Sequence, residues 1–139
     1  MTLETDALDL ALDTLALNAR FIRESRTLIG PEDVHSKGVE GPVTIADLAG
    51  QALLRLSLEG DVRVPVLPLC GEEGSEVLRA TGSDRLRARV LELVRSEVPS
   101  VGASELLELL DRGAHRPADG GSGTYWICDP IDGTRRYLD

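Results

Sequence analysis

Near the start of the chain Leu8, Leu12, Leu15, Ala19 and Ile22 recur at three- and four-residue steps, while Asp6, Asp9, Asp13, Arg20 and Arg23 fall at other angles. That spacing predicts one amphipathic helix over residues 1–29, with the leucine face inward and Gly30-Pro31 as its stop. Residues 31–42 carry no apolar period and read as a polar connector, with His35 and Lys37 as solvated loop residues. A second helix follows Pro42-Val43-Thr44-Ile45-Ala46-Asp47; Ala49, Leu53 and Leu56 mark its apolar face and Gly60 its end. Asp47 stands in or near its first turn, where a carboxylate gains from the helix dipole.

The next apolar run, Val62 to Cys70, contains Pro65 and Pro68, so only a short strand near Leu67 to Cys70 is expected before Gly71-Glu72-Glu73-Gly74. Two further helices are predicted. One is capped by Ser83 and runs through Glu97, with Leu86, Val90, Leu93 and Val94 inward and Pro99 beyond it. The other is capped by Ser104, with Leu106, Leu107 and Leu110 inward and Gly113 as its stop. Residues 114–123, including His115, read as a Gly-rich loop, and Tyr125-Trp126-Ile127-Cys128 as a strand running into a turn.

Composition narrows the function classes. A chain of 139 residues with 42% hydrophobic and 28% charged residues is a globular domain rather than a disordered or fibrous segment. A net charge of −9 disfavours nucleic acid and anionic membranes, which are held mainly through Lys and Arg. An aromatic content of 3% disfavours a platform for stacking the bases of single strands. Neither a basic-then-apolar leader nor a long apolar run is read at its start, so a cytoplasmic location is expected. Cys70 and Cys128 are too few for a disulfide framework and read as small buried residues.

The candidate chemistry lies in Asp129-Pro130-Ile131-Asp132-Gly133-Thr134. Pro130 holds Asp129 extended and Gly133 can take a backbone angle that a Cβ would resist, so both carboxylates can converge beyond the strand end. Converging carboxylates repel unless a proton or a cation lies between them. Mg²⁺ suits such a site because it takes one or two carboxylates and fills its octahedron with waters, carbonyls and phosphate oxygens. The Ile131 carbonyl lies between the two acids as a further donor. Taken alone, Asp-x-x-Asp-Gly also reads as an acidic surface turn. A second acidic pair, Glu72-Glu73, follows the other strand, and acids at two strand ends can share one cation.

Taken together, Pro42-Val43-Thr44-Ile45-Ala46-Asp47, Gly71-Glu72-Glu73 and Asp129-Pro130-Ile131-Asp132-Gly133-Thr134 resemble, in order, the motifs of the inositol monophosphatase superfamily of lithium-sensitive, Mg²⁺-dependent phosphatases. Within it the 3'(2'),5'-bisphosphate nucleotidase branch is the most similar. That branch is suggested by Gln51 after Ala46-Asp47, by the 57 positions from Glu72 to Asp129, and by Leu110-Asp111-Arg112-Gly113 ahead of a Gly-rich loop and Tyr125-Trp126-Ile127.

The resemblance implies an α+β fold, the N-terminal part of a layered α/β/α/β sandwich. Residues 1–139 would supply a helix pair, a strand-end metal site and a helical insertion at about 76–123, with the C-terminal half absent. It implies Mg²⁺ held by Glu72, Asp129, the carbonyl of Ile131 and Asp132, with Asp47 and Thr134 as catalytic residues and Gly133 and Thr134 against the substrate. The implied partner is a small phosphorylated nucleotide, adenosine 3',5'-bisphosphate or its sulfated analogue, with neither nucleic acid nor membrane; a separate C-terminal half is a second candidate partner. The expected activity of the chain alone is weak or nil. Inositol phosphates or fructose bisphosphate are the alternative substrates, and a non-catalytic cation-binding remnant or a helical interaction module are the alternatives from other classes. Where the family continues with Lys-Gly-Phe, this chain has Arg135-Arg136-Tyr137.

Overall fold

A computed structural model describes residues 2–36, 42–114, 116 and 123–139. The architecture is α+β: helices gathered around one central helix, with two small sheets at the edges. Helix α1 spans Leu3–Ser25 and passes into a single tight turn at Arg26–Leu28. Strands β1 (Val34–Ser36) and β2 (Pro42–Thr44) pair antiparallel, His35 opposite Val43. Helix α2 (Ile45–Gly60) leads to β3 (Leu69–Gly71), then to the short α3 (Glu76–Arg79), α4 (Asp84–Glu97) and α5 (Ala103–Arg112). Strand β4 (Trp126–Cys128) pairs parallel with β3, and α6 (Thr134–Leu138) follows.

Helix α2 is the hub. It packs against α1, α4 and α5, and it is buried nearly all round, from Ile45 through Arg55 and at Leu58, instead of on the single Ala49-Leu53-Leu56 face expected. The main core joins it to α4 and α5 through Leu48, Ala52, Val90, Val94, Leu106 and Leu110, all fully buried. A smaller cluster of Leu10, Leu54, Leu58, Val64 and Leu69 seats the β3–β4 pair on α1 and α2. Arg55, buried on α2, donates to the Leu67 carbonyl at 2.7 Å, and the Trp126 N–H of β4 donates to the Pro68 carbonyl at 2.8 Å, so both hold the proline-containing approach to β3. No helix among the described residues is long and apolar enough to cross a membrane.

The expected face of α1 is wrong. Leu8, Leu12 and Leu15 are 59%, 57% and 51% exposed, while Leu10, Thr14, Asn18, Phe21 and Ser25 are buried. Close approach to α2 explains the choice. Asn18 donates to the Gly50 carbonyl at 2.9 Å, and a Cβ on Gly50 would stand 3.0 Å from Ile22 and 3.1 Å from Pro130. The side of α1 that can come this near is the one carrying the polar Thr14, Asn18 and Ser25.

Three further expectations are corrected. The connector at 31–42 contains β1 and ends on the first residue of β2, so His35 sits half-buried in a strand; Lys37 lies outside the described residues. Helix α5 is capped from Gly102, one residue before Ala103, so Ser104 lies inside the helix; its buried leucines are Leu106, Leu109 and Leu110, with Leu107 only partly buried. Ser83 precedes α4 as expected, yet its hydroxyl donates to the Val77 carbonyl rather than to the helix end. Of the loop at 114–123, Ala114 bridges to Cys70, whereas His115 lies outside the described residues. The inward set of α4, Leu86, Val90, Leu93 and Val94, is buried as the periodicity predicts.

Candidate active site

Two parallel strands end side by side. In the register of β3 with β4, Gly71 is opposite Cys128, so the next residues, Glu72 and Asp129, leave adjacent strand ends in the same direction. Carboxyl ends of neighbouring parallel strands are where side chains from separate segments are delivered to one place. The turn beyond β4 is shaped by its own residues: Asp129 Oδ1 accepts the Ile131 N–H at 3.1 Å, and Gly133 adopts φ 75°, the left-handed region that favours glycine. A Cβ on Gly133 would meet nothing within 4 Å, so the turn is open on that side.

Asp47 comes to the same place from the first turn of α2. It is only 2% exposed, and a capping box positions it. The Thr44 hydroxyl accepts the N–H groups of Ala46 and Asp47 at 3.1 and 3.3 Å and donates to Asp47 Oδ2 at 2.7 Å. The Thr44 N–H donates to the same Oδ2 at 2.7 Å. Asp47 Oδ1 accepts the Thr134 hydroxyl at 3.1 Å, across 87 positions of sequence. Asp47 and Thr134 are therefore joined, and the Thr134 oxygen keeps lone pairs for a third group.

The carboxylates sense one another. Burial pushes the Asp129 carboxyl up, and although the Ile131 N–H pulls it down, the charges of Glu72, Asp47 and Asp132 raise it further. Asp129 thus lies in the field of Glu72, Asp47 and Asp132, the other acids named as candidate site residues. Among the described residues no three His, Cys, Asp or Glu side chains stand close enough to one point to hold a metal ion. Carboxylate oxygens at adjoining strand ends are the donor type that a hard cation takes, and the charges of Glu72, Asp47 and Asp132 around Asp129 disfavour its ionised form. Ile131 is buried within the turn at 7% exposure.

Two clefts flank the acids. One, of about 420 Å³, lies between α1 and the turn and is lined by Ile22, Arg23, Arg26, Asp129, Pro130 and Tyr137. The other, of about 460 Å³, opens beside Glu72, Glu73 and Arg116, whose guanidinium donates to the Gly71 carbonyl at 2.7 Å. Tyr137, one of the residues departing from the family pattern, donates its hydroxyl to the Ile22 carbonyl at 2.8 Å and ties α6 to α1. Burial, reinforced by the charge of Asp47, pushes its phenol up to about 12. Arg135 and Arg136 are exposed, so the charge added there is solvated. Burial and the neighbouring Asp129 raise the Cys128 thiol, which disfavours a reactive thiolate.

Sequence reasoning left Thr44 without a role, although Thr-x-x-Asp at 44–47 is a legible capping signal. Tyr137 carried no comparable signal, because its partner is a backbone carbonyl of α1.

Known proteins resemble the chain along most of its length. A probable 3'(2'),5'-bisphosphate nucleotidase 3 of Arabidopsis thaliana is 32% identical over 142 residues, covering 96% of this chain. The chain is homologous to the 3'(2'),5'-bisphosphate nucleotidases. A putative mitochondrial 3'(2'),5'-bisphosphate nucleotidase of the same plant is 37% identical over 94% of the chain, and the 3'(2'),5'-bisphosphate nucleotidase of Schizosaccharomyces pombe is 34% identical over 74%. The chain spans between about a third and two-fifths of the length of such relatives: 39%, 34% and 30% of these three. No protein-family model matches it.

Proposed function

We propose that this chain supplies the cation-binding and water-activating residues of a cytoplasmic, Mg²⁺-dependent phosphomonoesterase that converts adenosine 3',5'-bisphosphate and water to AMP and phosphate. The observation that carries the reading is the β3–β4 register, which sets Glu72 beside Asp129 at adjoining strand ends while Asp47 reaches across to Thr134. Homology to proteins named as 3'(2'),5'-bisphosphate nucleotidases supports it.

Glu72, Asp129, Asp132 and the Ile131 carbonyl would hold Mg²⁺. When bound, the cation supplies Lewis acidity towards the phosphoryl oxygens and lowers the pKa of bound water. Unaided hydrolysis of a phosphate monoester is among the slowest of biological reactions, so this electrostatic help is the largest requirement.

The remaining steps belong to the chain. The Thr134 hydroxyl, its proton directed at Asp47 Oδ1, turns a lone pair outward and can accept a proton from a water facing the phosphorus. The Thr134 proton passes to Asp47 as the water oxygen attacks. Asp47 is held for that task by both donors of Thr44, so it cannot rotate away. The open side of Gly133 leaves room for phosphate oxygens against the turn. The segment over residues 76–123, helices α4 and α5 included, would be an insertion between the two halves of this acid cluster.

The test measures binding of adenosine 3',5'-bisphosphate by calorimetry with Mg²⁺ and with chelator, alongside phosphate release. Inositol monophosphate serves as the comparison substrate. Mg²⁺-dependent binding, abolished by Asp129→Ala and preferring the nucleotide, is expected; binding that is absent, or equal in chelator, overturns the reading.

A further inference from the structure

We infer that Gln51 is a positioning residue that fixes the segment bearing Glu72 with respect to Asp47. The inference rests on the function proposed above. Asp47 and Gln51 stand one turn apart on α2 and therefore share a face. Asp47 reaches the turn after β4, and Gln51 reaches the segment after β3.

Gln51 is fully buried. Its side-chain oxygen accepts the Glu73 N–H at 2.7 Å, and its amide group donates to the Glu73 carbonyl and, at 3.3 Å, to the Gly113 carbonyl. A carboxamide that takes both the N–H and the C=O of one residue does the work of a neighbouring strand. It does so just past Gly71, where β3 ends. Both of its donors and one of its acceptor positions are used on backbone, which leaves little freedom to shift.

The surroundings are shaped for this contact. The Gly71 N–H donates to the Gly113 carbonyl at 2.8 Å, so the end of α5 is drawn into the same junction. A Cβ on Gly71 would stand 2.4 Å from the Gln51 side-chain oxygen and 2.7 Å from the Gly113 oxygen. A Cβ on Gly113 would stand 3.1 Å from the Leu109 oxygen and 3.3 Å from the Gln51 amide nitrogen. Glycine at both positions lets three backbones close on one side chain. Glu72 lies between Gly71 and Glu73, with each neighbour anchored. Its exposed carboxylate is thus carried on a segment held to the helix that carries Asp47.

A residue that merely satisfied the core would affect stability alone. A positioning residue also affects the site, and loss of groups that orient metal ligands typically weakens metal affinity about 10–100-fold. The experiment compares wild type, Gln51→Met, Gln51→Asn and, as a control for general destabilisation, Val90→Ala in the α4 core, which makes no hydrogen bond to the Glu72 segment. Amide hydrogen exchange at Glu73 and Mn²⁺ affinity by electron paramagnetic resonance are read for each.

Expected are faster exchange at Glu73 than at Leu53 in Gln51→Met, and Mn²⁺ binding weakened at least about tenfold, with Val90→Ala altering neither selectively. Gln51→Asn, one methylene short, gives the same pattern and serves if the methionine variant does not fold. Exchange at Glu73 unchanged, or Mn²⁺ bound by the Gln51 variants as tightly as by wild type, overturns the inference. If wild type itself binds no Mn²⁺, the phosphatase reading fails instead, and exchange at Glu73 alone decides whether Gln51 holds the segment.

Discussion

Replacing Thr44 by valine removes a hydroxyl and leaves the side-chain volume nearly unchanged, so the effect isolates hydrogen bonding at a fully buried position. Three contacts are lost: acceptance from the Ala46 and Asp47 N–H groups at 3.1 and 3.3 Å, and donation to Asp47 Oδ2 at 2.7 Å. Loss of a helix N-cap costs about 1 kcal/mol, within a range of about 0.5–2. Loss of a hydrogen bond to a charged group costs about 1.5–3 kcal/mol. The contacts share atoms and do not add fully, so a destabilisation of about 2–4 kcal/mol is expected, a large part of the roughly 5–15 kcal/mol typical of a domain. Urea denaturation followed by circular dichroism should show a lower midpoint at unchanged slope. Thr44→Ser, which keeps the hydroxyl, should lie close to wild type. If Thr44→Val falls within about 0.5 kcal/mol of wild type, as a neutral surface change would, Thr44 does not hold Asp47 and the picture of a fixed general base is wrong.

Two further outcomes follow from the packing and the charges. Asp33 is 2% exposed; burial pushes its carboxyl up, but hydrogen bonds from Arg89 and the Gly30 N–H outweigh that and hold it below the ordinary 3.8. A depressed carboxylate contributes stability above the unfolded-state value and loses it as pH falls through the folded one. The stability gap between wild type and Asp33→Asn should therefore be full at neutral pH and close as pH drops below about 4; a gap independent of pH would refute the role of that charge. Leu106→Ala, at a fully buried position where α5 meets the main core, should cost about 2–5 kcal/mol in the same denaturation assay, and a cost under about 1 kcal/mol would show that α5 is not part of that core.

Where chemistry is local, the sequence was a sufficient guide. Asp-Pro-Ile-Asp-Gly-Thr after an apolar run foretold a strand, a turn and a left-handed glycine, and Gly133 takes that conformation. The α4 face was equally readable, because its apolar positions meet apolar neighbours on α2 and α5. The α1 face was not, since its leucine repeat is stronger than the Leu10–Asn18–Phe21 stripe that packs. What decides there is the small Gly50 on another helix, a fact outside any window of α1. Strands β1 and β2 were missed because three residues are too few to show alternation, and their pairing is made across a connector. Asp47 looked like an ordinary acidic first turn. Only its bond to Thr134, 87 positions away, distinguishes it from a helix cap. Gln51 stood out in the sequence solely as a point of resemblance, and its contacts with Glu73 and Gly113 give it a physical task.

Calorimetric titration of the chelator-treated protein with Mg²⁺, repeated on Asp129→Ala and Asp132→Ala, tests the assembly of these acids most directly. A binding isotherm for the native chain that disappears in both variants is the predicted result. Heats indistinguishable from dilution in the native chain, or binding untouched by either substitution, would contradict a shared cation at the ends of β3 and β4.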